Sequence, residues 1–394
     1  MDLLVSKGSR FGGFVLLLAG SSCSLVGGSE TTNPVLFPEP NVELRLKTIQ
    51  FEPLHWAFIA PPTSTGRVDE LLASPVMRDP EFQEAVDDWI EYWENAARPW
   101  FPEFLRRMSI FEEMVDSVLD AKELPTSLRY LPLIESGYNP RARSYASAVG
   151  MWQFMPGTAR EHGMTVAAFV DERRDPFKST DAAAEYLSSL YRRFDSWFLA
   201  LASYNGGPNR AQRILRQNAR LEQPSDSLFW ALRQHWPRET REFVPKLVGA
   251  IIVAKNLESY GYEPPERAPP FRYTAVKVPD ATTLDVLAQA AEAEEDEIRW
   301  LNPELFRGFT PPGEIYELRV PEGQGEIFTL NYAAIPQGER MTVVEHSVEH
   351  GETLSHISVK YGISVRDLQA ANPRARPRYL RVGMRLTVPI LINR

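Results

Sequence analysis

Cysteine is nearly absent. Cys23 is the only one in 394 residues, so no intrachain disulfide can form and packing and hydrogen bonds must hold the fold. Basic runs are missing too. With a formal net charge of −9 and no stretch of clustered Lys and Arg, the chain offers no face to neutralise a phosphate backbone, which excludes nucleic acid as its main partner. No Gly-rich phosphate loop, nucleophile elbow or dinucleotide fingerprint is present, so no cofactor is expected. His346, His350 and His356 lack the helical spacing that converges ligands, since the first two fall on a strand and its turn; no metal site is expected. Near the start, the run Phe14-Val15-Leu16-Leu17-Leu18-Ala19 is too short to span a bilayer. Preceded by Lys7 and Arg10, it reads as a targeting segment for export.

What the chain does have is material for more than one core: 43% of it is hydrophobic and 24% charged. Its 32 prolines gather at 38–40, 61–62, 264–265, 269–270 and 311–312, which suggests linkers between compact units. The resulting division is a targeting segment at 1–23, a linker or N-terminal extension at 24–78, a helical region at 79–124, a motif-bearing helical unit at 125–265, and two small units at 271–322 and 341–391.

Phe82, Val86, Trp89, Ile90 and Trp93 recur at spacings of three and four, followed by a second series of Met108, Phe111, Met114, Val115, Val118 and Leu119. Both are core-facing helical stripes. The next helix is predicted to begin near Pro125, to kink at Pro132 and to end at Gly137. Further helices are predicted at 181–194, 197–203, 210–217 and 241–260. Tyr204-Asn205-Gly206-Gly207-Pro208 places Tyr204 at a tight, exposed corner after the second of these.

Glu135 is the residue with chemistry to explain. It follows Leu131-Pro132-Leu133-Ile134, and a carboxyl in such apolar company loses hydration in its charged form. Its pKa should therefore rise toward the range in which it donates a proton at neutral pH.

Glu135-Ser136, Ser144, Gly150, Gln153, Met155, Tyr204-Asn205 and Glu242-Phe243-Val244-Pro245-Lys246 together resemble the lytic murein transglycosylases of the goose-lysozyme-like superfamily, and within them the membrane-bound lytic transglycosylase D type. The likeness spans roughly half the chain in several ordered, separated motifs. It implies an all-α lysozyme-like catalytic domain at 125–265, with 79–124 packed on it. It also implies cleavage of the β-1,4 bond between N-acetylmuramic acid and N-acetylglucosamine in peptidoglycan, leaving a 1,6-anhydro sugar. Glu135 would act as acid and then base. Ser144 would contact the substrate N-acetyl group or orient the acid, Gln153 and Met155 would line the glycan groove, and Tyr204 and Asn205 would partner the catalytic carboxyl. Ser147 and Phe154 depart from common family residues without touching the acid.

Plainer readings stand beside these. Ser144 and Asn205 suit turns, Trp152, Phe154 and Met155 suit a core as well as a sugar groove, and Asp175 reads as structural unless a hydrolase uses it to activate water.

The C-terminal part repeats itself. Thr283-Leu284 recurs as Thr353-Leu354 and Asn302-Pro303 as Asn372-Pro373, each set followed by an alternating strand ending in Val-Pro, in βααβ order. In the second copy, Thr353 and Ser364 are placed to cap the two helices. Gly351-Glu352-Thr353-Leu354, Tyr361-Gly362, Asn372-Pro373 and Val388-Pro389 resemble a LysM module, which implies binding of N-acetylglucosamine-containing glycans through Gly351, Glu352, Thr353, Leu354, Asn372 and Pro373. The first copy, with Ala281-Thr282 in place of the Gly-Glu turn, resembles a degenerate LysM module. The fold class expected is thus α+β multidomain, an all-α lysozyme-like domain followed by one degenerate and one intact βααβ module. Cys23, following its apolar run, resembles the lipid-attachment cysteine of bacterial lipoproteins, which would tether an exported envelope protein to a membrane. Peptidoglycan glycan strands are the implied partner. Two other classes remain open: a goose-type hydrolase and a non-catalytic wall-binding scaffold.

Overall fold

The structure, a computed structural model, describes residues 69–389 apart from 168, 280, 312–314, 337–338, 340–342 and 373. The proposed targeting segment with Cys23, most of the extension at 24–78, and Pro373 lie outside the described residues.

Helix α1, Pro80–Glu94, starts where Asp79 accepts hydrogen bonds from the amides of Glu81 and Phe82, with Pro80 in the first turn. It buries Phe82, Val86, Trp89, Ile90 and Trp93, the stripe its spacing announces, and Tyr92 as well. A run of turns over 95–100 then separates it from the next helix. Helix α2, Phe101–Ala121, follows and buries Phe104, Met108, Phe111, Val115 and Leu119.

The helix expected from Pro125 onward is two pieces. A 3-10 turn, Thr126–Tyr130, leads into α3, Leu131–Ser136. Pro132 therefore sits in the first turn of α3, where its missing N–H costs nothing, and it starts the helix instead of kinking it. A short α4, Pro156–Glu161, precedes α5, Pro176–Phe194, which begins earlier than its apolar spacing suggests because Asp175 caps it through the amides of Phe177 and Lys178.

Helix α6, Trp197–Gly206, is apolar all round and buries every residue from Trp197 to Ser203, as a central helix must. It runs through Tyr204 and Asn205, which corrects the placement of Tyr204 at an exposed corner: both residues lie in its last turn, and the positive-φ break falls at Gly207. Helices α7, Pro208–Asn218, α8, Asp226–Ala231, and α9, Arg238–Lys255, complete the bundle, with α9 laid along α1 and α6. One apolar core joins all of them.

Two small βααβ units follow. In the first, β1, Thr274–Val278, pairs antiparallel with β2, Tyr316–Val320, around α10, Leu284–Ala291, and α11, Glu295–Leu301. An additional helix α12, Gly325–Ala334, packs Phe328 and Tyr332 into this unit's core. In the second, β3, Val343–Ser347, pairs antiparallel with β4, Arg385–Pro389, around α13, Leu354–Lys360, and α14, Val365–Ala371.

The repeated asparagines fasten each unit. Asn302 donates to the carbonyls of Ile298 and Arg319 and accepts from the Arg319 amide; Asn372 does the same with Leu368 and Thr387. Each side chain ties the end of a helix to the returning strand, satisfying backbone groups that would otherwise be orphaned there.

Asp79 also accepts from the Trp230 indole, so it joins α1 to α8. Asp79→Ala should lower thermal stability by the equivalent of about 1 to 2 kcal/mol, measured as a drop in Tm, because it removes a helix cap and leaves the indole N–H unpaired.

Candidate active site

Glu135 ends α3, and the way that helix ends sets its position. Gly137 takes a left-handed φ of 59°, its amide bonded back to Leu133 and that of Tyr138 to Pro132. A Cβ at Gly137 would lie 2.4 Å from the Phe104 ring, so no other residue fits. The Tyr138 hydroxyl, buried under α2, donates to the Arg129 carbonyl at 2.5 Å and clamps the turn.

A second segment, 147–155, is laid against this helix end. Ser136 Oγ donates to the Met151 carbonyl at 2.8 Å, and the Tyr204 hydroxyl donates to the Trp152 carbonyl at 2.6 Å. The segment is itself folded by isolated β-bridges between Arg143 and Val149 and between Val149 and Phe154. Gly150, at a φ of 89°, lets the Arg173 carbonyl approach so closely that a Cβ would stand 1.7 Å from its oxygen. The guanidinium of Arg173, held by Asp171, donates to the carbonyls of Ser147 and Phe154 at 2.9 and 3.0 Å. Trp152 and Phe154 are core residues, with the Trp152 indole donating to Thr180. Met155 stays 45% exposed beside a half-buried Gln153, whose amide donates to the Gly150 carbonyl.

Ser144 Oγ accepts from the Ala148 amide, as its turn reading expects. Two expected placements differ from the geometry. Asn205 does not meet Glu135. Its side chain donates to Glu239 and accepts from Thr240, both on α9, because the last turn of α6 points it there. Tyr204 is beside Glu135 electrostatically, but its proton goes to the Trp152 carbonyl and not to the carboxylate.

Glu135 is only partly buried, yet protein packs densely around it. Burial pushes its pKa up to about 7; Lys246 opposes the rise and Glu239 reinforces it. Burial, and then the Glu135 charge, holds the Tyr204 phenol well above its ordinary pKa, so it stays a neutral donor. Lys246 donates to the Ile134 carbonyl at 3.0 Å and lies over the Trp89 ring. The sequence offered the segment 242–246 as a family feature, but nothing in its spacing revealed that the Lys246 and Glu239 charges converge on Glu135 from α9. Asp175 is committed elsewhere, to the cap of α5 and to Arg319.

In the second βααβ unit, Gly351 has a φ of 83° and Glu352 folds back on its own turn, accepting from the Glu349 amide and from the buried His346, each at 2.7 Å. These bonds, led by that to the Glu349 amide, lower the Glu352 pKa. His346 meets the Tyr361 hydroxyl through its other nitrogen. Thr353 caps α13 and Leu354 is buried. Among the described residues no group of His, Cys, Asp and Glu is placed to hold a metal ion, and no helix is long and apolar enough to cross a membrane.

Residues 119–226 match the family profile of the Transglycosylase SLT domain, residues 272–337 that of the Lytic transglycosylase MltD, LysM-like domain, and residues 346–389 that of the LysM domain. These matches give the chain a Transglycosylase SLT domain followed by an MltD-type LysM-like unit and a LysM unit. It is similar to membrane-bound lytic murein transglycosylase D of Escherichia coli K12, 29% identical over 279 residues, or 68% of this chain and 60% of that protein. The chain thus spans about three fifths of that relative's length. It is also similar to soluble lytic murein transglycosylase of the same organism, 29% identical over 118 residues, 28% of this chain and 18% of the other. Among solved structures it is similar to an inactive mutant of the lytic transglycosylase Slt from Pseudomonas aeruginosa, 25% identical with a TM-score of 0.31 over 39% of this chain and 25% of that one.

A carboxyl whose pKa is raised on folding favours the folded state while it is protonated. That advantage is complete below its unfolded pKa, near 4.5, and is lost as pH rises to about 7. Glu135→Gln cannot titrate. Its stability relative to the wild type should increase across this window by on the order of 1 to 2 kcal/mol and stay level above it, as read from Tm against pH.

Proposed function

We propose that the protein is a peptidoglycan lytic transglycosylase that uses Glu135 alone as acid and base. The observation that carries this reading is a carboxyl pushed up to about 7 at the end of α3, beside a segment whose backbone is clamped by Ser136 and Tyr204. Protonated at neutral pH, Glu135 gives its proton to the oxygen of the β-1,4 bond as the bond to C1 of N-acetylmuramic acid breaks. The resulting carboxylate takes the proton of the same sugar's C6 hydroxyl, whose oxygen closes on C1. The product is a 1,6-anhydro sugar, and Glu135 ends as it began.

Because the nucleophile belongs to the substrate, no second carboxylate is required, unlike most glycosidases. Lys246 stabilises the transient carboxylate, and the neutral Tyr204 keeps the Trp152 carbonyl aligned. Met155, exposed beside Gln153, offers an apolar surface to a sugar face. Ser144 and Asn205 act here through the turns and helix ends they hold.

The LysM module at the C-terminus supplies retention on glycan strands, and the matched families support an envelope, periplasmic setting with peptidoglycan as partner. Lipid attachment at Cys23 would add a membrane tether. A goose-type hydrolase is the second reading, and Glu239 favours it as the carboxylate, among the described residues, whose charge acts on Glu135. Asp175, engaged by Arg319, is not available for that task.

Glu135→Gln should abolish muropeptide release from purified sacculi while preserving sedimentation with them; unchanged release would leave a wall-binding scaffold. Mass spectrometry of the wild-type products should show anhydro-muramoyl ends, and reducing ends would assign the hydrolase. Wild-type kcat/KM should fall about tenfold per pH unit above about 7. Removing residues 339–394 should weaken sedimentation more than turnover.

A further inference from the structure

The first βααβ unit has closed the place where a sugar would enter. Its turn at 281–284 is stitched to the loop at 308–310: the Leu284 amide donates to Gly308, the Thr310 amide to Thr282, and the Thr282 amide to Thr310 Oγ1, with a β-bridge between Thr283 and Phe309. Ala281, Thr282, Phe309 and Thr310 are all buried. The Tyr332 hydroxyl of α12 seals Thr282 from one side, and Phe169 of the helical domain covers Phe309 at 5.3 Å. In the second unit no hydrogen bond joins the corresponding segments, 351–354 and 374–382, among the described residues. Tyr379 and Val382 there stand 71% and 66% exposed.

The closed unit spends its polar groups on the helical domain instead. Arg319 of β2 pairs with Asp175 and, at 2.9 Å, with Glu304, and it lies over the rings of Phe177 and Tyr273. The Asp171 amide donates to the Glu304 carbonyl at 3.1 Å, and Tyr316 donates to the Glu304 carboxyl at 2.8 Å. Arg141, on the turn after Glu135, donates to the Arg299 carbonyl at 2.7 Å. Asp171 and Asp175 flank Arg173, which carries the 147–155 segment on its guanidinium. From Arg319 to Met151 and Trp152, which receive the bonds of Ser136 and Tyr204, the chain of contacts is continuous.

We infer that the unit at 272–337 is a brace and not a glycan-binding module, in which Arg319 and Glu304 are positioning residues that hold the turn at 171–175 and, through Arg173, the substrate-side segment 147–155. The catalytic consequence rests on the transglycosylase reading above; the mechanical one does not. Breaking a buried ion pair leaves an uncompensated charge and loosens what it holds, and misplacing a substrate-positioning segment by an ångström costs rate far from the chemistry.

The test uses the full chain and the variants Arg319→Met, Arg319→Lys and Glu304→Gln, with amide hydrogen exchange and kinetics on sacculi. Arg319→Met is expected to speed exchange in 147–155 as well as 171–175 and to lower kcat/KM about tenfold, mostly through KM. The fall of rate with pH set by Glu135 should stay in place, and Arg319→Lys should recover part of the loss. Should Arg319→Met fail to fold, Glu304→Gln, which keeps the shape, carries the same comparison. Faster exchange confined to 272–337, with 147–155 unchanged, would overturn the brace. Of the two βααβ units, a tetramer of N-acetylglucosamine should protect amides in the second alone, at 351–354 and 374–382; protection at 281–284 and 308–310 would overturn it too. If the wild type released no muropeptides, the exchange data would still judge the brace while the transglycosylase reading failed alone.

Discussion

The desolvation of one carboxyl group is the constraint on which the site depends. Glu135 sits at the end of a six-residue helix whose preceding residues, Leu131 to Ile134, are all buried, and burial outweighs the attraction of Lys246 to hold the group near neutrality. Were Lys246 to dominate, the carboxyl would be ionised at physiological pH and could give no proton. Were Lys246 absent, the carboxylate formed after proton transfer would have no opposing charge. The opposed terms make a group that can both lose and regain a proton, the requirement of a one-carboxylate mechanism.

Everything else in the helical domain fixes that carboxyl and the strip of backbone facing it. The left-handed Gly137 closes α3 against Phe104, and Gly150 admits the Arg173 carbonyl. Ser136 and Tyr204 bind successive carbonyls, those of Met151 and Trp152. These are backbone contacts, and they explain why a polar Ser-Tyr pair stands next to the acid without touching it. The first βααβ unit extends the same logic: a module built like its neighbour has traded an open loop pair for ion pairs to the turn that carries Arg173.

The fold class was legible because its signals are local. Helical spacing marked α1 and α2, Gly137 marked the end of α3, and Thr353 and Ser364 marked the caps of α13 and α14, where their hydroxyls accept from His356 and Asp367. The repeat of Thr-Leu and Asn-Pro revealed two copies of one unit, although its asparagines turn out to pin strands to helices. What stayed hidden depends on distant packing. Pro132 could be read as a kink only because the 3-10 turn before it was invisible. Tyr204 and Asn205 looked like a corner because Gly206-Gly207-Pro208 follows, yet helical bonds run on to Gly206. The convergence of Lys246 and Glu239 on Glu135, and the grip of Arg319 on Asp175, join residues far apart in sequence that no periodicity connects. Helix α12 escaped notice because its polar and apolar residues do not separate onto faces, with Leu330 exposed and Phe328 buried.

The most direct test is to titrate the Glu135 carboxyl itself by carbon NMR in the wild-type chain, assigning the resonance by its disappearance in Glu135→Gln. The account predicts a midpoint near 7. A midpoint in the ordinary carboxylate range, near 4, would show that burial does not govern this group and would contradict the account.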